Sequence, residues 1–297
     1  MSRVAWVDVF ATGPMTGNPL AVVLDGEGWD DARMQALAAE LGISETVVVL
    51  PPEEGGDARL RIFTPARELP VAGHPLVGAA WVLHAAGVIE GRAVLETGAG
   101  PREVRVRGAV ATADMGVAEA GAEADAAEAA AAAGLPAPGG PARIWGVGVP
   151  QLMLPAPDAA ALRDAVPDHD RLVALAGRDG WAGVSVYATA PDPEARPVVE
   201  VRHFAPAIGV PEDPVTGSAA AALGARLAAE GLAGDGGDLS LVVRQRTASG
   251  RGGEVAVRVT ADPAGGPGRV QVGGRVEPLI EGRILDNRPP AEGPGGG

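Results

Sequence analysis

Val4 to Phe10 is apolar at every position but Asp8, and a second short apolar run covers Leu20 to Leu24. Both read as strands, separated by the turn-rich loop Gly13-Pro14-Met15-Thr16-Gly17-Asn18-Pro19. The period then changes. Met34, Leu37, Ala38 and Leu41 share one face of a helix that Asp30 or Asp31 caps and Gly42 ends. Glu45 to Leu50 and Arg59 to Phe63 return to strand patterning, with Leu60 and Ile62 alternating against Arg59 and Arg61.

A turn at Thr64-Pro65 and the tripeptide Gly73-His74-Pro75 lead into Leu76–His84, which is apolar on every side. A helix of that kind in a globular chain must be buried all round, and a sheet wrapped about it would do this. The second half repeats the plan. Arg202-His203-Phe204-Ala205-Pro206 matches Arg61-Ile62-Phe63-Thr64-Pro65, and Gly217-Ser218 introduces the apolar segment Ala219–Leu227 as Gly73-His74 introduces Leu76–His84. The duplication predicts two similar domains facing each other, each a curved sheet about a central helix; the plainer alternative is two ordinary strand–turn–helix units. Later strands are expected at Val184–Ala188, Val198–Phe204, Leu239–Arg244, Val255–Val259 and Val270–Val272. The Ala/Glu/Pro/Gly-rich stretch from Ala118 to Pro141 reads as a linker or exposed helix, which divides the chain into halves 1–117 and 118–274. A last strand near 275–285 would complete the first half, and 287–297 is expected to be a disordered tail.

Composition narrows the chemistry. A chain of 297 residues with 46% hydrophobic content can bury a substantial core. Against 24 Lys plus Arg stand 38 Asp plus Glu, a net charge of −14, so the positive footprint that nucleic-acid binding requires is missing. There is no cysteine, which excludes disulfides, thiolate metal sites and sulfur nucleophiles. No apolar stretch approaches the roughly 18 residues of a membrane helix, and no signal-peptide core is visible, so a cytoplasmic protein that does not engage membranes is expected. The four histidines (His74, His84, His169, His203) lack metal-ligand spacing, and neither a phosphate loop nor a Gly-x-Gly-x-x-Gly turn is present.

Three places remain where chemistry can sit. Glu45 shares a strand face with Val47 and Val49, so its carboxyl borders apolar surroundings that raise a pKa toward the range useful for moving a proton from carbon; the competing reading is a strand-edge glutamate in water. Gly73-His74-Pro75 is a helix start whose free amides attract a carboxylate, with His74 able to donate a hydrogen bond or relay a proton, or else to serve as an ordinary cap or core residue. In Glu212-Asp213-Pro214-Val215-Thr216-Gly217-Ser218-Ala219, Asp213 can hold an amine or hydroxyl and the amides near Gly217-Ser218 an anion, unless this is a loop with a plain serine cap.

Taken together, Gly17-Asn18-Pro19-Leu20-Ala21-Val22-Val23, Ser44-Glu45-Thr46, Phe63-Thr64-Pro65 with Glu68, Gly73-His74-Pro75 and the 212–219 segment resemble the PhzF-like family of phenazine biosynthesis, in its order and spacing, from about Val4 to Ile284. The resemblance implies an α+β fold similar to diaminopimelate epimerase: two pseudo-symmetric domains, each a barrel-like, mostly antiparallel sheet around a central helix, with the site in the cleft between them. That epimerase carries paired cysteines at the two helix starts. Here those starts carry His74 and Ser218, so a two-thiol mechanism is excluded. What the resemblance implies instead is an isomerase that shifts a proton on a small carboxylate, trans-2,3-dihydro-3-hydroxyanthranilate, with no metal or organic cofactor. Glu45 would take the proton from one carbon and return it to another. His74, Asp213 and Ser218 would hold the amine, hydroxyl and carboxylate, Gly73 and Gly217 would offer backbone N–H groups, and Asn18 would shape the pocket floor. A homodimer is the implied assembly. Leu76, Val47 and Val71 stand where the family often has threonine and bulky aromatics, which implies a differently shaped pocket. The alternatives are an epimerase or tautomerase of another amino or hydroxy acid, and a non-catalytic binding protein.

Overall fold

A computed structural model describes residues 1–190, 197–232, 237–262 and 266–285. The expected tail at 287–297 lies outside the described residues. The first half runs β1 (Ser2–Val9), β2 (Asn18–Val23), α1 (Asp31–Leu41), β3 (Glu45–Leu50), β4 (Ala58–Phe63), β5 (Glu68–Leu69), α2 (Gly73–Ala85), β6 (Arg92–Glu96), β7 (Arg102–Arg107) and β8 (Val110–Val117). The second runs β9 (Glu119–Ala124), α3 (Ala126–Ala132), β10 (Ala142–Val147), β11 (Val149–Pro155), α4 (Ala159–Asp164), α5 (His169–Asp179), β12 (Gly183–Ala190), β13 (Val198–Ala205), β14 (Val210–Asp213), α6 (Gly217–Ala229), β15 (Leu239–Arg246), β16 (Gly252–Ala261) and β17 (Pro267–Ile284).

The same connections occur twice. β2 pairs parallel with β3 as β11 does with β12, β3 antiparallel with β4 as β12 with β13, and β4 parallel with β6 as β13 with β15. Side chains repeat too. Arg61 bridges to Glu68 and lies over the Phe63 ring, while Arg202 bridges to Glu212 and lies over Phe204. The architecture is thus α+β, two pseudo-symmetric barrel-like sheets, each with one helix inside.

Those inner helices are α2 and α6. Of α2, the residues from Gly73 to Ala80, Val82 and Leu83 are buried, and α6 is buried from Ala219 to Leu227. The strands supply the wall: Leu20, Val22, Val47, Val49, Leu60 and Ile62 face α2 in a single apolar cluster that continues through Val199, Val201 and Val243 around α6. Burying apolar side chains on this scale is the main force holding each helix in its sheet.

The halves are stitched by β17. Its start pairs with β16 and β8, and its end, Val276 to Ile284, crosses to pair with β1. In turn β9 pairs with β10. The Ala-rich stretch read as a linker or exposed helix is therefore neither: β9 is paired, and α3 buries Ala129, Ala130 and Ala132 against a second cluster that includes Leu172 and Leu175 of α5. Alanine's small side chain allows that close packing, and composition alone cannot distinguish it from a low-complexity spacer.

Candidate active site

The inner helices meet start to start: the first residues of α2 and α6, Gly73 and Gly217, lie against each other. Each begins with glycine, and a side chain would crowd the other start at both places, more severely at Gly73. A Cβ on Gly73 would stand 2.9 Å from the Ser218 amide nitrogen and 3.0 Å from the Gly217 carbonyl carbon; one on Gly217 would stand 3.1 Å from the Phe10 ring and 3.2 Å from the His74 nitrogen. Neither helix has a side-chain cap, since Ala72 has no polar group and the Thr216 hydroxyl donates instead to Asp213. First-turn amides have no acceptor within their own helix. Two such ends brought together make a focus of positive potential built for one small anion.

Glu45 is the first residue of β3 and lies level with Leu20 on β2, on the inward face of the first barrel. Its Oε2 comes 3.3 Å from Nε2 of His74, and both atoms are sealed from solvent without a well-aligned hydrogen bond. Burial pushes the Glu45 carboxyl up to about 8, with the charge of Asp213 adding to the shift and the Ser44 hydroxyl opposing it. Burial pulls His74 down to about 3, against the Pro19 carbonyl, which acts the other way. The contact is therefore between a neutral acid and a neutral imidazole near pH 7, not an ion pair, because neither charge is solvated there.

Asp213 ends β14 and is also buried, which raises its carboxyl to about 6 while hydrogen bonds from Thr216 and Asn18 oppose the rise. Asn18, fully buried at the start of β2, ties the halves together. Its Nδ2 donates to Asp213 Oδ1 at 3.0 Å and to the Val215 carbonyl at 2.7 Å, and its Oδ1 accepts from the Ser44 hydroxyl at 3.0 Å. Gln245 of β15 holds the 213–216 turn from behind, donating to the Asp213 carbonyl at 2.7 Å and accepting from the Thr216 amide at 3.0 Å.

So the structure gathers Glu45 with His74, and Asn18 with Asp213, beside the paired starts Gly73 and Gly217; Ser218 is the second residue of α6, as His74 is of α2. Both Asp213 oxygens are already engaged, which makes it a structural acceptor as well as a candidate binding group. Gln245 and the Ser44 hydroxyl were not singled out from sequence. Ser44 lay inside a quoted motif, whereas Gln245 ends a strand with no local pattern that marks it.

A cavity of about 420 Å³ leads to the site, lined by Ser44, Asn18, Asp213 and Arg251 and, at its rim, Ile208 and Val210. It stops short of Glu45 and His74. A larger cavity of about 810 Å³ opens over β13 and β15, beside Arg163, Arg246 and Thr247; Gln245 is part of its lining, but Gly73, His74, Gly217 and Ser218 are not. The smaller one is the candidate approach to the site, because it is lined by Asp213, a buried acid of raised pKa, and by Asn18 and Ser44, which are bonded to each other. Among the described residues no cluster of three His, Asp or Glu could hold a metal, and no helix is long and apolar enough to cross a membrane.

Comparison with known proteins agrees with this geometry. The family model for phenazine biosynthesis-like proteins, PhzC-PhzF, matches residues 7–282. The chain is 35% identical over 235 residues to a trans-2,3-dihydro-3-hydroxyanthranilate isomerase of Pseudomonas aeruginosa, covering 77% of this chain and 80% of that one. It is 34% identical to a protein of Mesorhizobium japonicum named an uncharacterized isomerase, over 94% of this chain and 97% of the relative. A crystal structure of a PhzF-family phenazine biosynthesis protein from Bacillus anthracis superposes with a TM-score of 0.85 at 25% identity, over 96% of this chain and 99% of the other. With the match running through both barrels and the cleft between them, the chain belongs to the PhzC-PhzF family of phenazine biosynthesis-like proteins.

Proposed function

We propose that this chain is an isomerase that moves a proton between two carbons of a small carboxylate resembling trans-2,3-dihydro-3-hydroxyanthranilate, with Glu45 as the acid/base. The observation that carries the reading is a carboxyl whose Oε2 is sealed from solvent 3.3 Å from the His74 imidazole and beside two uncapped helix starts, where burial pushes its pKa up to about 8. The substrate carboxylate would sit on the amides of Gly73, His74, Gly217 and Ser218. The minor fraction of Glu45 that has lost its proton to solvent near neutral pH takes a proton from a ring carbon, the C–H pair passes into the conjugated system toward the carboxylate, and the helix amides stabilise the charge that develops there. The same Oε–H returns the proton to a second carbon as the double bond shifts, so atoms and charge balance without another reactant. His74, neutral, holds the substrate or the Glu45 proton by hydrogen bond and does not add a fixed positive charge.

Isomerisation is favoured over a two-base epimerisation by one feature. The position in the second barrel that corresponds to Glu45 is Gly183, so the symmetry-related place holds no acid, and the other buried carboxyl, Asp213, has both oxygens held by Asn18 and Thr216. The test is deuterium incorporation from solvent into a panel of small carboxylates, read by mass spectrometry with wild type and Glu45→Gln. Exchange into a dihydroanthranilate, lowered about 10²–10⁴-fold in the variant, is expected. Binding of the carboxylate with no exchange in wild type would instead mark a non-catalytic binding protein.

A further inference from the structure

The two barrel mouths have the same backbone and opposite chemistry. In the first, Leu20 is level with Glu45, and Val47 pairs across the sheet with Ile62. In the second, Gln151 is level with Gly183, and Ser185 pairs with His203. Three apolar positions have thus become polar. All three of the polar residues are at least nine-tenths buried: Gln151 is 4%, Ser185 1% and His203 2% exposed. Burying polar groups is costly unless they are used.

Two of the groups in this layer have no partner among the described residues: the Gln151 Oε1 and, across the strand from it, the Trp145 Nε1. His203 is half satisfied. Its Nδ1 lies 2.9 Å from the Ser185 hydroxyl, which turns the other nitrogen toward the mouth. There Nε2 stands 2.7 Å from where a Cβ on Gly183 would be, so the imidazole occupies the space that corresponds to the stem of Glu45. His203 also pairs directly across the sheet with Asp213, whose carboxyl is part of the cleft.

We propose that the mouth of the second barrel is a recognition subsite in which His203 Nε2, set by Ser185, and the Gln151 carboxamide oxygen take a hydroxyl substituent of the substrate. This rests on the reading of the cleft as the active site. A hydroxyl fits because it both donates and accepts: with Nδ1 accepting from Ser185 and the proton on Nε2, the ligand oxygen accepts from His203 and its one O–H donates to the Gln151 acceptor. A second carboxylate does not fit: burial pulls His203 down to about 4, so the ring carries no positive charge near neutral pH. For the same reason it is too weak a base to take a proton from carbon. His203 and Gln151 are thus specificity-determining, and Ser185 is a positioning residue.

The test uses two ring carboxylates of nearly equal shape, 3-hydroxyanthranilate and 3-methylanthranilate, titrated calorimetrically into wild type and into the double variant Ser185→Val/His203→Ile, which copies the first barrel. Wild type should prefer the hydroxyl ligand by about tenfold or more, and the double variant should level the two by losing hydroxyl affinity alone. Gln151→Leu, which leaves the Ser185–His203 pair intact, should halve the preference or more and serves if the double variant does not fold; His203→Gln, which keeps a donor and an acceptor, should retain part of it. If wild type binds both ligands equally, or the variants keep the full preference, the subsite is wrong while the cleft reading stands. If wild type binds neither, the substrate class beneath both proposals is wrong.

Discussion

The first barrel places a carboxyl over an apolar floor; the second places a glycine over a polar one. Leu20, Val47 and Ile62 give Glu45 nothing to hydrogen-bond to, and its pKa rises. Gln151, Ser185 and His203 offer hydrogen bonds under Gly183, where no acid stands. On the two proposals above, one fold would yield a proton carrier on one side and a recognition surface on the other, and what separates them is the layer immediately beneath the mouth. The two barrels share their helix starts and differ in the side chains around them.

The largest effect is expected from disturbing what the barrels share. Gly73→Ala drives a Cβ against the Ser218 amide, backbone that cannot rotate away. The helix starts must separate, and kcat/KM should fall at least 10²-fold, on the order of the cost of losing oxyanion-type donors, with a stability loss of about 1–3 kcal/mol. Steady-state kinetics and chemical denaturation would show both.

The next prediction separates the barrels by pH. The folded pKa of Glu45, about 8, is above its ordinary value of 4.5, so the folded state binds that proton more tightly. The contribution to stability is fully present below about pH 4.5 and is lost as pH rises through about 8. Asp213, raised to about 6, acts with the same sign over a lower window. Glu45→Gln cannot ionise. It should melt with wild type near pH 4 and above it at pH 9, by on the order of a few kcal/mol, and equal melting temperatures at pH 9 would count against a dry Glu45.

The smallest effect comes from moving one feature of the second floor into the first. Val47→Ser gives the first barrel the hydroxyl that Ser185 gives the second. A donor beneath Glu45 favours its charged form, so the rising limb of the pH–rate profile should shift down by about one unit. An unchanged limb would mean that the floor does not set the acid.

Much of this was legible beforehand. The capped α1, the two all-apolar helices and the Arg-x-Phe strand ends are short-range patterns, and they appear as read: Asp30 caps α1, Gly42 ends it, and α2 and α6 are enclosed. The motifs that named Glu45, His74, Asp213 and Ser218 are also local. What long-range pairing decides was harder. β17 is one strand of 18 residues, but Gly273-Gly274 interrupts its pattern, and the sequence shows a short strand and a separate later one. α3 reads as a spacer because alanine hides its burial, and β9 because its exposed residues give no apolar pattern although it pairs with β10. Gln151 and Ser185 carry no motif, and His203 stands in the Arg202–Pro206 repeat without being marked by it, since each is a polar residue on a strand face whose direction only the register reveals.

The central claim is that Glu45 holds its proton at neutral pH, and carboxyl infrared difference spectroscopy of wild type minus Glu45→Gln reads it directly. The account predicts a protonated C=O stretch at pH 7 that disappears with a midpoint near 8. A midpoint between about 4 and 5, the range of a glutamate in water, would contradict it.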